Sequence, residues 1–128
     1  MAKQAGKKRT VHLTERALRD IAGMESYSLE QFGKEVAAQY IGKLEAGIGL
    51  VWDNAELLRE ESHFHESLKF YRIEQHLLVC ETGIEGKIII LTLLHASMDV
   101  PSRLAELEPK LSIEAEMLLT QLRRASKP

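Results

Sequence analysis

The chain has 128 residues, 45% of them hydrophobic and 28% charged, with a formal net charge of −2 at pH 7, which suits one globular domain able to bury a core. Its longest apolar run, Ile88 to Leu94, is interrupted by Thr92 and falls far short of the roughly 20 residues of a membrane-spanning helix, so no membrane span is expected. The basic start lacks the apolar stretch of a secretion signal, and the single cysteine, Cys80, cannot form an internal disulfide, so we expect a cytoplasmic protein.

Four basic side chains and no acidic one lie within the first ten residues. A cluster of like charge attracts an oppositely charged partner, so Lys3, Lys7, Lys8 and Arg9 could contact a nucleic acid or an acidic protein. A solvated tail is the commoner role of such a segment. We expect residues 1–8 to form a disordered basic tail, and we expect no direct binding of nucleic acid.

The next elements are predicted to be a short strand and two helices. The strand covers Arg9 to Leu13, and Thr14 suits the N-cap of a helix that ends at Gly33. The second helix runs from about Lys34 to Trp52, and so short a connection predicts an antiparallel helical hairpin. Apolar residues at steps of three and four, which predict the inward faces, are Leu18, Ile21, Ala22, Leu29 and Phe32 in the first helix and Ala37, Tyr40, Ile41, Leu44, Ile48 and Val51 in the second.

An acidic connection from Asp53 to Ser67 precedes three predicted strands. They cover Leu68 to Ile73, Leu77 to Thr82 and Lys87 to His95, with turn residues between them. This spacing predicts a three-stranded antiparallel meander with Cys80 buried. The last strand is apolar on both faces, so it should lie in the interior of the sheet. We expect the helical hairpin to cover one sheet face.

The C-terminal part is predicted to be helical with an interruption. Pro101 and Pro109 bracket a polar helical turn, and Ser112 suits the cap of a final helix that ends at about Ala125. We therefore divide the chain into the tail, a domain of residues 9–110 and a C-terminal helical extension of residues 111–128. The fold class is α+β.

Four stretches of the sequence together carry a family resemblance. They are Leu13–Ile21, Asn54–Leu57, Leu68–Ile73 and Leu94–Arg103, and in the last a strand ending in Leu-His is followed by Met-Asp, a hydrophobic residue and Pro. Their order and spacing resemble the ParE/RelE superfamily of type II toxin–antitoxin toxins, which includes plasmid stabilisation proteins, and the nearer likeness is to the ParE branch. The motif residues are Arg72, His95, Met98, Asp99 and Pro101. The resemblance implies a RelE/ParE-like fold, with an N-terminal strand and an antiparallel helical hairpin packed on an antiparallel sheet.

The resemblance also implies a toxin that a small antitoxin holds inactive through apolar anchors. ParE-like toxins act on DNA gyrase, whereas RelE-like relatives cut messenger RNA at the ribosome. We expect a complex with a cognate antitoxin, ParD-like or other, gyrase as the target, and no cofactor or metal. The outer sides of the helices and a free sheet face would form the antitoxin groove. The expected antitoxin contacts are Tyr40, Leu44, Ile48, Trp52, Met117, Leu118 and Leu122.

A RelE-like ribonuclease is the alternative. An RNA-cutting site without a metal needs a proton-transferring group and cations around the phosphate. Strand alternation turns Lys69 and Tyr71 to one face and Arg72 to the other, so the candidates should not converge on one substrate. We favour structural roles, with Arg72 in an ion pair with Asp99 or Glu81 and His95 as a hydrogen-bonded strand end. The candidate residues are Lys69, Tyr71, Arg72, His95 and Arg103.

Two further patterns have both a functional and a structural interpretation. The alternate histidines His63 and His65 could ligate zinc if Cys80 or His76 came near, but histidines in an acidic loop are usually exposed. Trp52 could be an interface anchor, but a core position is the commoner one for a lone tryptophan.

Three features depart from the family pattern. Ala55 replaces a proline, the basic tail is extra, and a helix follows the Met-Asp-Pro motif. Gyrase as the target is therefore inferred from likeness to the ParE branch alone. A non-toxic protein-binding module of the same fold is the third interpretation.

Overall fold

Residues 9–126, the part of the chain that the computed structural model describes, form three α-helices and five β-strands. The predicted tail of residues 1–8 lies outside the described residues. The elements in chain order are β1 (Thr10–Leu13), α1 (Glu15–Phe32), α2 (Lys34–Asp53), β2 (Arg59–Glu60), β3 (Lys69–Ile73), β4 (His76–Ile84), β5 (Lys87–His95) and α3 (Val100–Ala125). The predicted α+β class is confirmed. Among these described helices none is both long and apolar enough to cross a lipid bilayer.

The five strands form one sheet in the order β1-β5-β4-β3-β2. The predicted meander of β3, β4 and β5 is confirmed, and β5 lies in the sheet interior as expected. On its other side β5 pairs with β1 in parallel, with Leu13 opposite Ile90. The two-residue strand β2 was not predicted, because a polar pair without alternating apolar residues gives no strand signal.

Local sequence signals fix the two ends of α1. Thr14 caps it, since its hydroxyl oxygen accepts a hydrogen bond from the backbone N–H of Ala17 at 3.1 Å. Gly33 ends it with φ of +92°, a conformation that favours glycine, and donates its N–H to Leu29. Because α2 begins at the next residue, the chain turns back sharply and forms the predicted helical hairpin.

The helical hairpin covers one face of the sheet, as predicted. Leu44 and Val51 of α2 pack against Leu78, Ile88 and Ile90 in one buried cluster. Cys80 belongs to the same cluster, and its burial raises the pKa of the thiol to about 12. A thiol that stays protonated and has no access to solvent is not a nucleophile, so Cys80 has a packing role.

The inward face of α1 differs from the prediction. Ala17 and Ser28 are buried, with Ile21 and Met24 half-buried between them, whereas Leu18, Leu29 and Phe32 are exposed. Polar contacts explain the difference. Thr14 and Asp20 form hydrogen bonds with the backbone of β5, and these two contacts set the rotation of α1 about its axis.

The C-terminal helix also differs from the prediction. One continuous helix, α3, begins at Val100 and runs through Pro109 to Ala125, so the predicted helix start at Ser112 was wrong. Asp99 is the actual cap, because its carboxylate accepts hydrogen bonds from the N–H and the hydroxyl of Ser102. Pro109 is exposed, so the carbonyl left without an N–H partner can be solvated.

The second sheet face, expected to be free, is covered by α3. A second buried cluster joins six residues of the helix to the opposite side of the same strands. The helix contributes Val100, Leu104, Leu107, Leu111, Ala115 and Leu119, and the sheet contributes Phe70, Leu77, Val79, Ile89, Leu91 and Leu94. No sheet face is therefore open to a partner in the described part of the chain.

Candidate functional site

An open groove of about 680 Å³ lies beside the carboxyl end of β5. The inner side of α1 and the start of α2 form one wall, and the segment from Met98 to Arg103 closes the other end. Four large apolar side chains line it although they are exposed to solvent: Tyr27 and Phe32 at 62% each, Val36 at 44% and Met98 at 39%. Exposed apolar residues gathered in a concave site are typical of a surface that binds another molecule.

Three rings of the groove lining contact one another in a row. His76 begins β4 and stands opposite His95 in the strand register, so their rings lie edge to face with centroids 5.2 Å apart. The hydroxyl of Tyr40 forms a hydrogen bond with Nδ1 of His76. Burial and the neighbouring His95 lower the pKa of His76, while Asp20 acts in the opposite direction.

His95 is held in one tautomer by the turn that follows it. Its Nδ1 accepts hydrogen bonds from the Ser97 N–H at 3.1 Å and from the Ser97 hydroxyl at 2.7 Å. An accepting Nδ1 carries no proton, so the ring proton of the neutral form is on Nε2. This confirms the interpretation of His95 as a hydrogen-bonded strand end.

Asp20 forms part of the groove wall and replaces a missing strand. β1 ends opposite Ile90, so the last five residues of β5 have no strand beside them on that edge. The carboxylate of Asp20 accepts hydrogen bonds from the Thr92 hydroxyl at 2.6 Å and from the Leu93 N–H at 3.0 Å. The acid is thus occupied by structural bonds.

Arginines give the groove a positive rim. Arg19 and Arg103 line it with exposed side chains, each paired with a carboxylate of its own helix, and Arg16 lines it while binding Glu114 of α3 through two bonds of 2.7 and 2.9 Å. The hydrogen bonds from Arg16 lower the pKa of Glu114. Since Asp20 is the single acidic residue among those lining the groove, the site suits an acidic, apolar ligand.

The motif residues have separable roles. His95 and Met98 line the groove, and Asp99 and Pro101 start α3 as cap and first-turn proline. Arg72 lies elsewhere, with Nε donating to the carbonyl of Glu74 at 2.8 Å in the turn between β3 and β4. The predicted ion pair of Arg72 with Asp99 or Glu81 was wrong. The guanidinium of Arg72 binds the carbonyl of the turn, and the carboxylate of Asp99 caps α3.

The residues of the ribonuclease alternative are divided between two sites. His95 and Arg103 line the groove, whereas Lys69, Tyr71 and Arg72 line a separate depression at the β2–β3 edge of the sheet. A set divided in this way cannot surround one phosphate. The whole set does not converge, as expected, but the expected separation of Arg72 from Lys69 and Tyr71 was wrong, because all three line the same depression.

The predicted antitoxin contacts occupy different environments. Tyr40 lines the groove, but Leu44 is only 1% exposed and belongs to the core, so its assignment as a partner contact was wrong. Trp52 is 43% exposed, which corrects its interpretation as a core residue. Ile48 is half-buried against the core under the helical hairpin. The three in α3 are Met117, which is exposed, and Leu118 and Leu122, which are half-buried.

The two alternate histidines belong to local contacts. His63 faces Glu61, and His65 binds Glu108 of α3 through Nε2 while its Nδ1 accepts from the Ser67 N–H. Across residues 9–126 no three histidine, cysteine, aspartate or glutamate side chains lie close enough to hold a metal ion. His65 therefore fixes the connection before β3 to the last helix.

Sequence reasoning missed several groove residues. Tyr27 and Val36 fall between the predicted apolar faces, and Asp20 looks like any exposed helix residue. His76 had a usable signal, because the pairing of two adjacent antiparallel strands places it opposite His95.

Comparison with known proteins supplies the family. The family described as the ParE toxin of type II toxin–antitoxin system, parDE, matches residues 11–100, so the match ends at the first residue of α3. Toxin ParE of Escherichia coli is 29% identical over 94 residues, which are 73% of this chain and 91% of that protein. A solved chain described as the chromosomal ParDE TA system from P. aeruginosa has a similar fold, with a TM-score of 0.64 and 12% identity over 72% of this chain and 100% of that chain. Since the family match covers more than half of the sequence, this chain belongs to the ParE toxin family of type II toxin–antitoxin systems.

Proposed function

We propose that this toxin arrests growth in the cytoplasm by poisoning DNA gyrase and that a cognate antitoxin neutralises it by binding in the groove beside β5. The groove is the observation that supports this proposal, because the motif residues His95 and Met98 line it together with the exposed rings of Tyr27 and Phe32. Membership of the ParE family supports gyrase as the target.

The chemistry of the groove supports a specific kind of antitoxin segment. Tyr27, Phe32 and Val36 offer apolar contacts along α1 and α2, and Arg19 and Arg103 stand at the rim. A segment with apolar anchors on one side and carboxylates on the other would satisfy both. Leu44 and Leu118 are given up as direct contacts, because the two buried clusters hold them.

The RelE-like ribonuclease has less support. Its candidate cations and acid–base groups are divided between the groove and the β2–β3 edge. The groove itself contains His95 and Arg103, but Nδ1 of the histidine accepts hydrogen bonds from Ser97. A non-toxic binding module would keep the groove and lose the growth arrest.

Growth measurements separate these functions. Expression of the full chain in bacteria should stop growth with DNA-damage signalling and filamentation first, and coexpression of the cognate antitoxin should restore growth. A fall in translation within minutes, with messengers cut at ribosome-bound codons, would establish the ribonuclease instead. Normal growth at confirmed soluble expression would support the binding module.

The groove assignment has its own test at Gly23. This residue lines the groove, and a side chain added there meets no atom within 4 Å. Gly23→Trp should therefore fill the groove without disturbing the fold, and antitoxin affinity should fall at least tenfold in a direct binding assay. Gly42→Trp is the matched control, because Gly42 is equally open but lies outside the groove. Equal affinity of the two variants would remove the groove from the proposal while leaving the toxin activity untouched.

A further inference from the structure

Helix α3 carries a second stripe of side chains on the face that points away from the sheet. Its inward residues, such as Leu104, Leu111 and Leu119, are buried against the sheet. On the opposite side, residues at alternating steps of four and three are all exposed to solvent. This outer stripe consists of Glu106, Lys110, Ile113, Met117, Thr120 and Arg124.

The centre of the outer stripe is apolar. Ile113 is 60% exposed and Met117 is 58% exposed, and they adjoin in a shallow depression on the helix surface. Alternating steps of four and three are the spacing that aligns residues along the contact of two packed helices. The stripe is therefore shaped for another helix rather than for a small molecule.

The helix that presents this stripe is fixed to the body of the protein. Arg16 of α1 binds Glu114, and Arg123 binds Glu85 in the turn between β4 and β5. Together with the buried leucines, these contacts hold α3 from its middle to its end. A partner would meet a preformed surface and would not need to order it.

We propose that the outer stripe of α3 binds a second copy of this chain, with the two helices antiparallel about a two-fold axis between Ile113 and Met117. In this arrangement Ile113 packs against Met117 of the partner subunit. Glu106 then faces Arg124 of the partner subunit, and two-fold symmetry repeats both contacts. The stripe is thus complementary to itself, as an isologous interface requires.

The charges select the antiparallel arrangement. In a parallel pair Glu106 would face the partner's Glu106 and Arg124 would face the partner's Arg124, and both contacts are repulsive. The antiparallel pair turns the same four charges into two attractive contacts. It also leaves Lys110 opposite the uncharged Thr120 of the partner subunit.

The contact is small. Two helices with four apolar side chains at their centre bury less than the roughly 1,600 Å² of a standard interface. We expect a monomer–dimer equilibrium that shifts with concentration and weakens in high salt, since the outer charge pairs are exposed. The stripe does not include the groove residues Tyr27 or Phe32, so the proposal stands apart from gyrase inhibition and antitoxin binding.

Sedimentation velocity of the full chain from micromolar to near-millimolar concentration tests the proposal. The natural chain should pass from monomer to dimer. Glu106→Arg and Arg124→Glu should each weaken self-association at least roughly tenfold, because two attractive pairs become repulsive. Mixing these two variants should restore a heterodimer, and the double variant should again form a homodimer. In a parallel dimer each single variant would keep two contacts between like charges, as in the natural chain, so neither would weaken self-association.

Exposed apolar residues supply the second pair of variants. Ile113→Ser should abolish the dimer, whereas Leu18→Ser, which removes a side chain 55% exposed on α1, should leave it unchanged. A natural chain that stays monomeric at near-millimolar concentration would overturn the proposal. So would a dimer that survives Ile113→Ser, or a double charge variant that stays monomeric. A monomeric chain whose antitoxin affinity falls with Ile113→Ser would assign the stripe to the antitoxin instead.

Discussion

At the scale of single residues, Thr14 joins a helix to a strand with one hydroxyl group. Its Oγ1 accepts from the Ala17 N–H at 3.1 Å and donates to the Leu91 carbonyl at 2.9 Å, and the residue is 1% exposed. The hydroxyl therefore caps α1 and also pairs a carbonyl of β5 that lies beyond the end of β1. Without the hydroxyl, the Ala17 N–H and the Leu91 carbonyl would both be buried without a hydrogen-bond partner.

Thr14→Val tests this role while keeping the volume of the side chain. We expect the free energy of unfolding to fall by about 2–3 kcal/mol, from the lost cap and the unpaired carbonyl. Thr14→Ser keeps the hydroxyl and should lose less than about 1 kcal/mol. Urea denaturation measures both, and a loss for Thr14→Ser as large as that for Thr14→Val would show that packing of the methyl group matters as much as the hydroxyl.

His76 gives the fold a dependence on pH. Burial and His95 lower the pKa of His76 in the folded chain below its ordinary value of 6.5. The unfolded chain then binds more protons than the folded chain as pH falls through 6.5, so folding stability decreases over that step and levels off below the folded pKa.

His76→Gln should flatten this step, since glutamine does not titrate. The measurement is the free energy of unfolding between about pH 8 and about pH 5, compared with the natural chain. The slope is the readout, because glutamine can still form a hydrogen bond with Tyr40 and the absolute stability shifts for other reasons. An unchanged slope would mean that His76 does not bind protons differently in the two states.

At the scale of elements, α2 and β3 approach closely at Gly47. A methyl group at this position would lie 2.7 Å from Cγ1 of Ile73, whose side chain is buried. The helix therefore needs a residue without a side chain at this position, although glycine is a poor helix former.

Gly47→Ala should lower the free energy of unfolding by about 1–2 kcal/mol, because the overlap outweighs the gain in helix propensity. Gly49→Ala is the control two residues further along α2, where an added Cβ meets nothing within 4 Å. It should raise stability by up to about 1 kcal/mol. Thermal denaturation of both variants should show shifts of opposite sign, and shifts of the same sign would contradict the packing of α2 on Ile73.

The helices also show what sequence patterns can predict. Thr14, Gly33 and the apolar run of β5 gave correct boundaries, because caps, a positive φ and a two-faced strand depend on neighbouring residues. The rotation of α1 was predicted wrongly, since it depends on Asp20 meeting β5 far along the chain. Pro109 suggested a break that an exposed helix surface tolerates.

At the scale of the whole molecule, the groove arises from the meeting of distant segments. α1, the end of β5 and the start of α3 are separated in sequence, so periodicity could not predict that Tyr27, His95 and Met98 line one site. The family resemblance located His95 and Met98 but not the aromatic wall. The family match ends at Val100, the first residue of α3, so the rest of that helix had to be understood from its packing alone.

The covering of both sheet faces limits what a partner can use. With the helical hairpin on one side and α3 on the other, a partner cannot lie on the centre of either sheet face, whereas the groove offers a concave, largely apolar surface beside β5. A partner that neutralises the toxin would thus act there, and the same surface would be free in the active toxin.

Supercoiling of plasmid DNA by purified gyrase, with the purified chain added, measures inhibition of gyrase apart from every other process in the cell. The chain should inhibit supercoiling and cause cleaved plasmid to accumulate, addition of the antitoxin should reverse both effects, and Gly23→Trp should escape this reversal if the groove is the antitoxin site. Full gyrase activity in the presence of a chain that still arrests growth would contradict gyrase as the target.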